Sequence, residues 1–157
     1  MNIELDLQIE RFIDAPRAAL WAAWTDPDQL AQWFLPAPSE CRVERLDITP
    51  GGALVTSMRE PGGEFGCHID GCILAVDELA RLVFTTALDS SWRPALASNL
   101  RITAQLTFDE HDGGTHYRAL VRHADPNDRA RHEQLGFVDG WGAVTEQLAT
   151  LVEHQRV

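Results

Sequence analysis

Apolar and polar residues alternate at the start of the chain: Ile3, Leu5, Leu7 and Ile9 are separated by Glu4, Asp6 and Gln8. This period of two predicts a strand with one face on a core. Asp14-Ala15-Pro16 then offers a capping residue and a proline suited to a first helical turn, and the good helix formers of 17–24 follow. Thr25-Asp26-Pro27-Asp28 repeats the signal. It opens a second short helix with Leu30, Trp33 and Phe34 on one side, ended by Pro36 and Pro38.

Between Cys41 and Ala124 short apolar segments are punctuated by Pro50-Gly51-Gly52, Pro61-Gly62-Gly63, Asp77-Glu78 and a turn over 109–114, the texture of an antiparallel meander. Leu100, Ile102, Ala104, Leu106 and Phe108 hold one parity, as do Tyr117, Ala119, Val121 and His123. The apolar phase slips between Cys41 and Ile48, which predicts a bulge, and Gly71 inside an apolar run marks a second expected one.

Beyond Asp125-Pro126-Asn127-Asp128 the period changes. Phe137, Trp141, Val144, Leu148, Leu151 and Val152 recur at intervals of three and four. One helix over 128–155 would be about 42 Å long, enough to cross a sheet of this size. Gly136 and Gly140 would share a face of that helix, each costing about 1 kcal/mol relative to Ala. Either a close contact or room for a ligand would compensate.

The 157 residues suit one domain, 1–157, of α+β class: two short helices after strand 1, a curved antiparallel sheet of about six or seven strands, and a long C-terminal helix covering one face. The 13 basic residues, all Arg, stand against 24 acidic ones, for a net charge of −11. That balance argues against a nucleic-acid partner or an anionic membrane surface. The N-terminal residues lack a basic segment and an unbroken apolar run, no stretch approaches a membrane span, and three cysteines are an odd number, so a cytoplasmic protein with reduced thiols is expected.

Several of these segments, taken in order, resemble a known family: Asp14-Ala15-Pro16, Leu20-Trp21-Ala22-Ala23-Trp24-Thr25-Asp26-Pro27, Trp33-Phe34, Pro50-Gly51-Gly52, Leu82-Val83-Phe84-Thr85, Gly136-Phe137, and Gly140-Trp141 with Leu148 and Leu151. They are similar to the bacterial proteins related to the C-terminal domain of the activator of Hsp90 ATPase, within the helix-grip superfamily (START-like, Bet v 1-like, polyketide cyclase-like). The resemblance implies a sheet gripping the long helix with a mostly apolar cavity between them. The superfamily includes lipid and hormone carriers, aromatase or cyclase domains and co-chaperone domains, and fold does not choose among them.

The inner parity of the sheet and the glycine-bearing helix face define a candidate cavity: Phe84, Thr86, Ile102, Tyr117, Val121 and His123, with Gly136, Gly140, Trp141 and Val144. A hydrophobic or aromatic small molecule is the expected partner, with no cofactor. The alternatives are a cyclase-like or hydrolytic enzyme on a hydrophobic substrate, in which His123 or His68 would move a proton, and, ranked last, a chaperone-associated protein. A homodimer is left open. No catalytic set can be assembled from six scattered histidines. The run Cys67-His68-Ile69-Asp70-Gly71-Cys72 holds zinc-ligand types, but regular alternation splits them across two faces, so no metal is expected. Trp92, in a turn-rich stretch, would close a cavity mouth or meet a partner.

Overall fold

The computed structural model describes residues 1–155. Seven antiparallel strands form one curved sheet: β1 (Asp6–Ile13), β2 (Glu40–Leu46), β3 (Ala53–Arg59), β4 (Gly66–Asp77), β5 (Arg81–Thr85), β6 (Thr103–His111) and β7 (Gly114–Arg122). Their order across the sheet is β1-β7-β6-β5-β4-β3-β2. Consecutive strands from β2 to β7 are neighbours, and β1 closes the far edge by pairing with β7, Leu7 opposite Val121. Helices α1 (Arg17–Thr25) and α2 (Pro27–Trp33) follow β1, and α3 (Pro126–Gln134) and α4 (Phe137–Gln155) end the chain. This is the α+β class that the periodicities imply and the helix-grip arrangement that the resemblance implies. Among the described residues, no helix is long and apolar enough to cross a membrane.

The core lies between the sheet and the helices. Leu20, Ala23 and Trp24 of α1, Leu30 and Trp33 of α2, and Phe137, Leu148, Ala149 and Val152 of α4 are buried with Leu82, Phe84, Ala104, Leu106, Phe108, Tyr117 and Val121 of the sheet. Gln147 of α4 adds a polar clasp, its Nε2 donating to the Trp33 and Leu35 carbonyls at 3.0 and 2.7 Å while its Oε1 accepts from the Ala37 N–H at 2.8 Å. Glu146 pairs with Arg11 of β1 at 2.7 Å, and Glu153 accepts from the Asp14 backbone N–H at 2.9 Å. The middle and C-terminal part of α4 is thereby fastened to β1, to the turn before α1 and to the end of α2.

Local details depart from the sequence pattern in four places. The first strand starts at Asp6: Asn2 to Asp6 form a turn in which the Asn2 N–H reaches the Asp6 carboxylate at 2.8 Å, leaving Ile3 74% exposed. Helix α1 begins after Pro16, which is its N-cap, without a side-chain cap. The bulges fall on one side of Val43 as expected, but in β4 they isolate His68 and Leu74, not Gly71. Gly71 pairs regularly with Leu54, and a Cβ there would meet the Thr85 carbonyl oxygen at 2.4 Å, so it is a site of close strand approach.

The single helix expected over 128–155 is two. Asp125 caps α3, accepting from the Asp128 N–H at 2.8 Å, with Pro126 in the first turn. The helix stops at Leu135, and Gly136 turns the chain at φ +96°, a left-handed conformation that costs other L-residues about 1–2 kcal/mol. Gly136 therefore lies between helices and shares no face with Gly140, which sits inside α4 with open space where its Cβ would be. The two glycines should respond oppositely to substitution. Gly136→Ala is expected to lower stability by about 1–2 kcal/mol, and Gly140→Ala to raise it by up to about 1 kcal/mol. Urea unfolding of both variants checks this, and equal midpoints would contradict the assignment of the break.

Candidate functional site: an aromatic cavity under the C-terminal helix

A cavity of about 900 Å³ lies between the sheet and the N-terminal half of α4. The apolar wall is Trp24 from α1, Trp33 and Phe34 at the end of α2, Phe84 of β5, Leu100 and Ile102 before β6, and Trp141 and Val144 of α4. These rings interlock: Trp24 meets Trp33 edge-on at 4.8 Å and Phe34 at 5.5 Å between centroids, and tilts on Phe84 at 6.1 Å. A second, shallower groove of about 720 Å³ runs along the outer side of α4 beside Leu35, Cys41 and Leu151 and carries no such aromatic wall.

The segment 86–102 between β5 and β6 forms a roof. Asp89, Arg93, Pro94, Ala95, Leu96, Ser98 and Asn99 contribute to the lining. Three hydrogen bonds pin it: the Asp70 carboxylate accepts from the Ser90 N–H at 2.8 Å, Arg131 of α3 donates to the Ser98 carbonyl at 3.0 Å, and the Trp92 indole donates to the Gly51 carbonyl at 2.8 Å. Trp92 does not line the cavity. It lies across the Gly51 turn, 65% exposed and at positive φ, and serves as an outer strap of the roof.

Polar groups enter the cavity from three directions. His68 projects from its bulge in β4, Nδ1 against the Thr56 hydroxyl at 2.9 Å and the ring edge-on to Phe34; burial pulls its pKa down to about 4. His132 of α3 comes from the opposite side. Its Nδ1 faces Nε2 of His123 at 2.9 Å, and burial, with His123 beside it, lowers its pKa to about 4. On the floor are Tyr117 and Trp24. Burial drives the Tyr117 phenol well above its ordinary pKa, offset slightly by the neighbouring Trp24 N–H. Trp24 is 2% exposed, and its Nε1–H is turned toward the Tyr117 phenol oxygen without closing a hydrogen bond of normal geometry.

Of the residues expected from the sequence, Phe84, Thr86, Ile102, Tyr117, Gly140, Trp141 and Val144 lie on this lining. Val121, His123 and Gly136 do not. Val121 is sealed in the core, Gly136 forms the break between α3 and α4, and His123 sits behind His132, its Nδ1 spent on the Leu5 carbonyl at 2.8 Å. His68 and Asp70 reach the cavity without meeting His123. Sequence reasoning missed Trp24, Phe34 and His132, and the roof. The turn-rich composition of 89–94 was the signal available for the roof. In the run from Cys67 to Cys72 the thiols diverge, Cys67 exposed and Cys72 buried. Among the described residues, no three His, Cys, Asp or Glu side chains converge as a metal site would require.

Comparison with solved structures places this geometry among relatives. A Nitrosomonas europaea protein is 35% identical over 99% of this chain and 98% of its own, with a TM-score of 0.88. A Mycobacterium smegmatis protein is 28% identical over 96% and 91%, with a TM-score of 0.79. An AHSA1-like protein from Aeromonas hydrophila, 22% identical over 96% and 93%, shares the fold at a TM-score of 0.68. No curated protein matches significantly. The family model described as activator of Hsp90 ATPase homolog 1-like protein matches residues 14–153, from the turn after β1 to near the end of α4 and including every residue of the cavity lining, and the chain belongs to that family.

Proposed function

We propose that the protein binds a hydrophobic or aromatic small molecule in the cavity between the sheet and α4. The observation that carries this reading is the interlocked aromatic wall around about 900 Å³. Ligand pockets commonly occupy roughly 300–1,000 Å³ and combine apolar walls with few polar groups. The family context agrees, since helix-grip proteins commonly bind hydrophobic ligands. Phe84, Ile102, Trp141 and Val144 are the proposed apolar contacts, with Thr86 and Tyr117 beside them.

Gly140 is the proposed aperture. Its missing side chain leaves open space on the cavity side of α4, and a larger residue would occupy it without disturbing helical geometry. A panel of uncharged aromatic compounds is expected to raise the melting temperature. The tightest binder, at 100 times its Kd, contributes about 2.7 kcal/mol, or about 5–10 °C for a domain of this length. Gly140→Leu should fold and lose that shift. Full binding by Gly140→Leu, or no shift with any compound, would contradict the proposal.

His68 and His132, with pKa values pulled down to about 4, are neutral rings at physiological pH beside the charged Asp70, Asp89, Arg93 and Arg131 that also line the cavity. His68 has a folded pKa near 4, below its ordinary 6.5, so the unfolded chain binds more protons between these values. Stability should therefore be full above about pH 6.5, fall as pH drops toward 4, and level off below. In His68→Asn the loss between pH 6.5 and 4.5 should be smaller than in the native sequence, measured by thermal melts. Identical pH slopes would show that His68 is not held neutral by the fold.

A further inference from the structure

The His123–His132 pair has a proton order set from outside. A backbone carbonyl only accepts, so the 2.8 Å contact of His123 Nδ1 with Leu5 O requires a proton on that nitrogen. In a neutral His123 ring, Nε2 is then bare and can only accept. The 2.9 Å contact with His132 Nδ1 in turn requires the proton to lie on His132 Nδ1. A neutral His132 is left with an unprotonated Nε2, and that atom has no hydrogen-bond partner among the described residues. Both rings are buried, His123 at 6% and His132 at 7% exposure, and neither has a carboxylate as hydrogen-bond or ion-pair partner among the described residues to hold a positive charge. The depressed pKa of His132 agrees with a neutral ring. His132 lines the cavity and His123 does not.

We propose that His132 Nε2 is a hydrogen-bond acceptor of the cavity, selecting molecules that carry a hydroxyl or N–H donor on their aromatic or apolar body, and that His123 is the positioning residue that keeps this lone pair available. The Leu5 carbonyl, the His123 ring and the His132 ring form a relay in which each acceptor dictates the next donor, ending at the bound molecule. Edge-on packing of His132 against Phe137, with centroids 5.1 Å apart, and a tilted contact of Phe137 with Trp141 hold the ring at the wall where α4 begins. This inference rests on the binding reading above and adds the polarity of the ligand to it.

Two measurements test it. Long-range ¹H–¹⁵N NMR of the imidazoles in the native protein should find both rings neutral, protonated at Nδ1 and bare at Nε2. A proton on His132 Nε2 overturns the proposal with no ligand needed. The second compares 2-naphthol with 2-methoxynaphthalene, which has the same aromatic body and no donor, by tryptophan fluorescence titration. The native protein should prefer 2-naphthol by roughly three- to tenfold in Kd, the size of one net hydrogen bond. His132→Phe should lose the preference, whatever its affinity for 2-methoxynaphthalene. In His123→Phe, His132 should lose its fixed Nδ1–H signature and the preference should shrink with it. If both compounds bind equally well to the native protein, or His132→Phe keeps the preference, this inference fails and the cavity reading stands. If neither compound binds, both fail.

Discussion

The arrangement depends on how α4 is fastened. Its C-terminal part buries Leu148, Ala149 and Val152 in the core and is clasped to the end of α2 through Gln147. Burial of each large apolar side chain is worth about 1.5–3 kcal/mol, and the clasp satisfies two carbonyls and one N–H that the end of α2 leaves open. The N-terminal part has no equivalent attachment at Gly140 and Gly142, where even a Cβ would meet nothing. A helix held firmly at one end and resting on a curved sheet at the other encloses space at the loose end. The cavity follows from this asymmetry.

The surrounding elements then decide what kind of space it is. Helices α1 and α2 supply interlocked rings as the floor and one wall, and the Gly136 turn swings α3 away from the line of α4 so that His132 reaches the cavity from the side. The roof is tied to β4, α3 and the Gly51 turn by separate hydrogen bonds, so it is connected to three elements that also contribute to the site or its support. Most polar groups inside are paired with the protein: Thr86 with Leu100 and Ile102, His68 with Thr56, His132 with His123. The Trp24 N–H is turned toward the Tyr117 phenol.

The architecture was legible because it rests on local periodicity. The three- and four-residue spacing from Phe137 to Val152 and the strict parities of β6 and β7 needed no tertiary information. The errors occurred where conformation is decided by distant partners. Gly136 and Gly140 look alike at helical spacing, yet one is the left-handed end of α3 and the other an interior residue of α4. The bulge in β4 falls on His68 because of its pairing with β3, where Thr56 opposes Ile69 and Ser57 opposes Cys67, so taking Gly71 as its mark misplaced it. His123 pointed inward as its parity implied, but α3 folds His132 in front of it. That contact arises across the Asp125–Asp128 turn, where the spacing marks a change of element and not how α3 folds back on the end of β7.

The central claim is that this space is a binding site and not a packing defect. Its most direct measurement is native mass spectrometry of the protein purified from its own host under gentle conditions, followed by denaturing analysis of whatever it carries. The account predicts a species heavier than the bare chain that releases a hydrophobic small molecule on unfolding. Only the bare chain mass, found alike in protein from cells at different growth stages and after incubation with the host's own apolar extract, would contradict it.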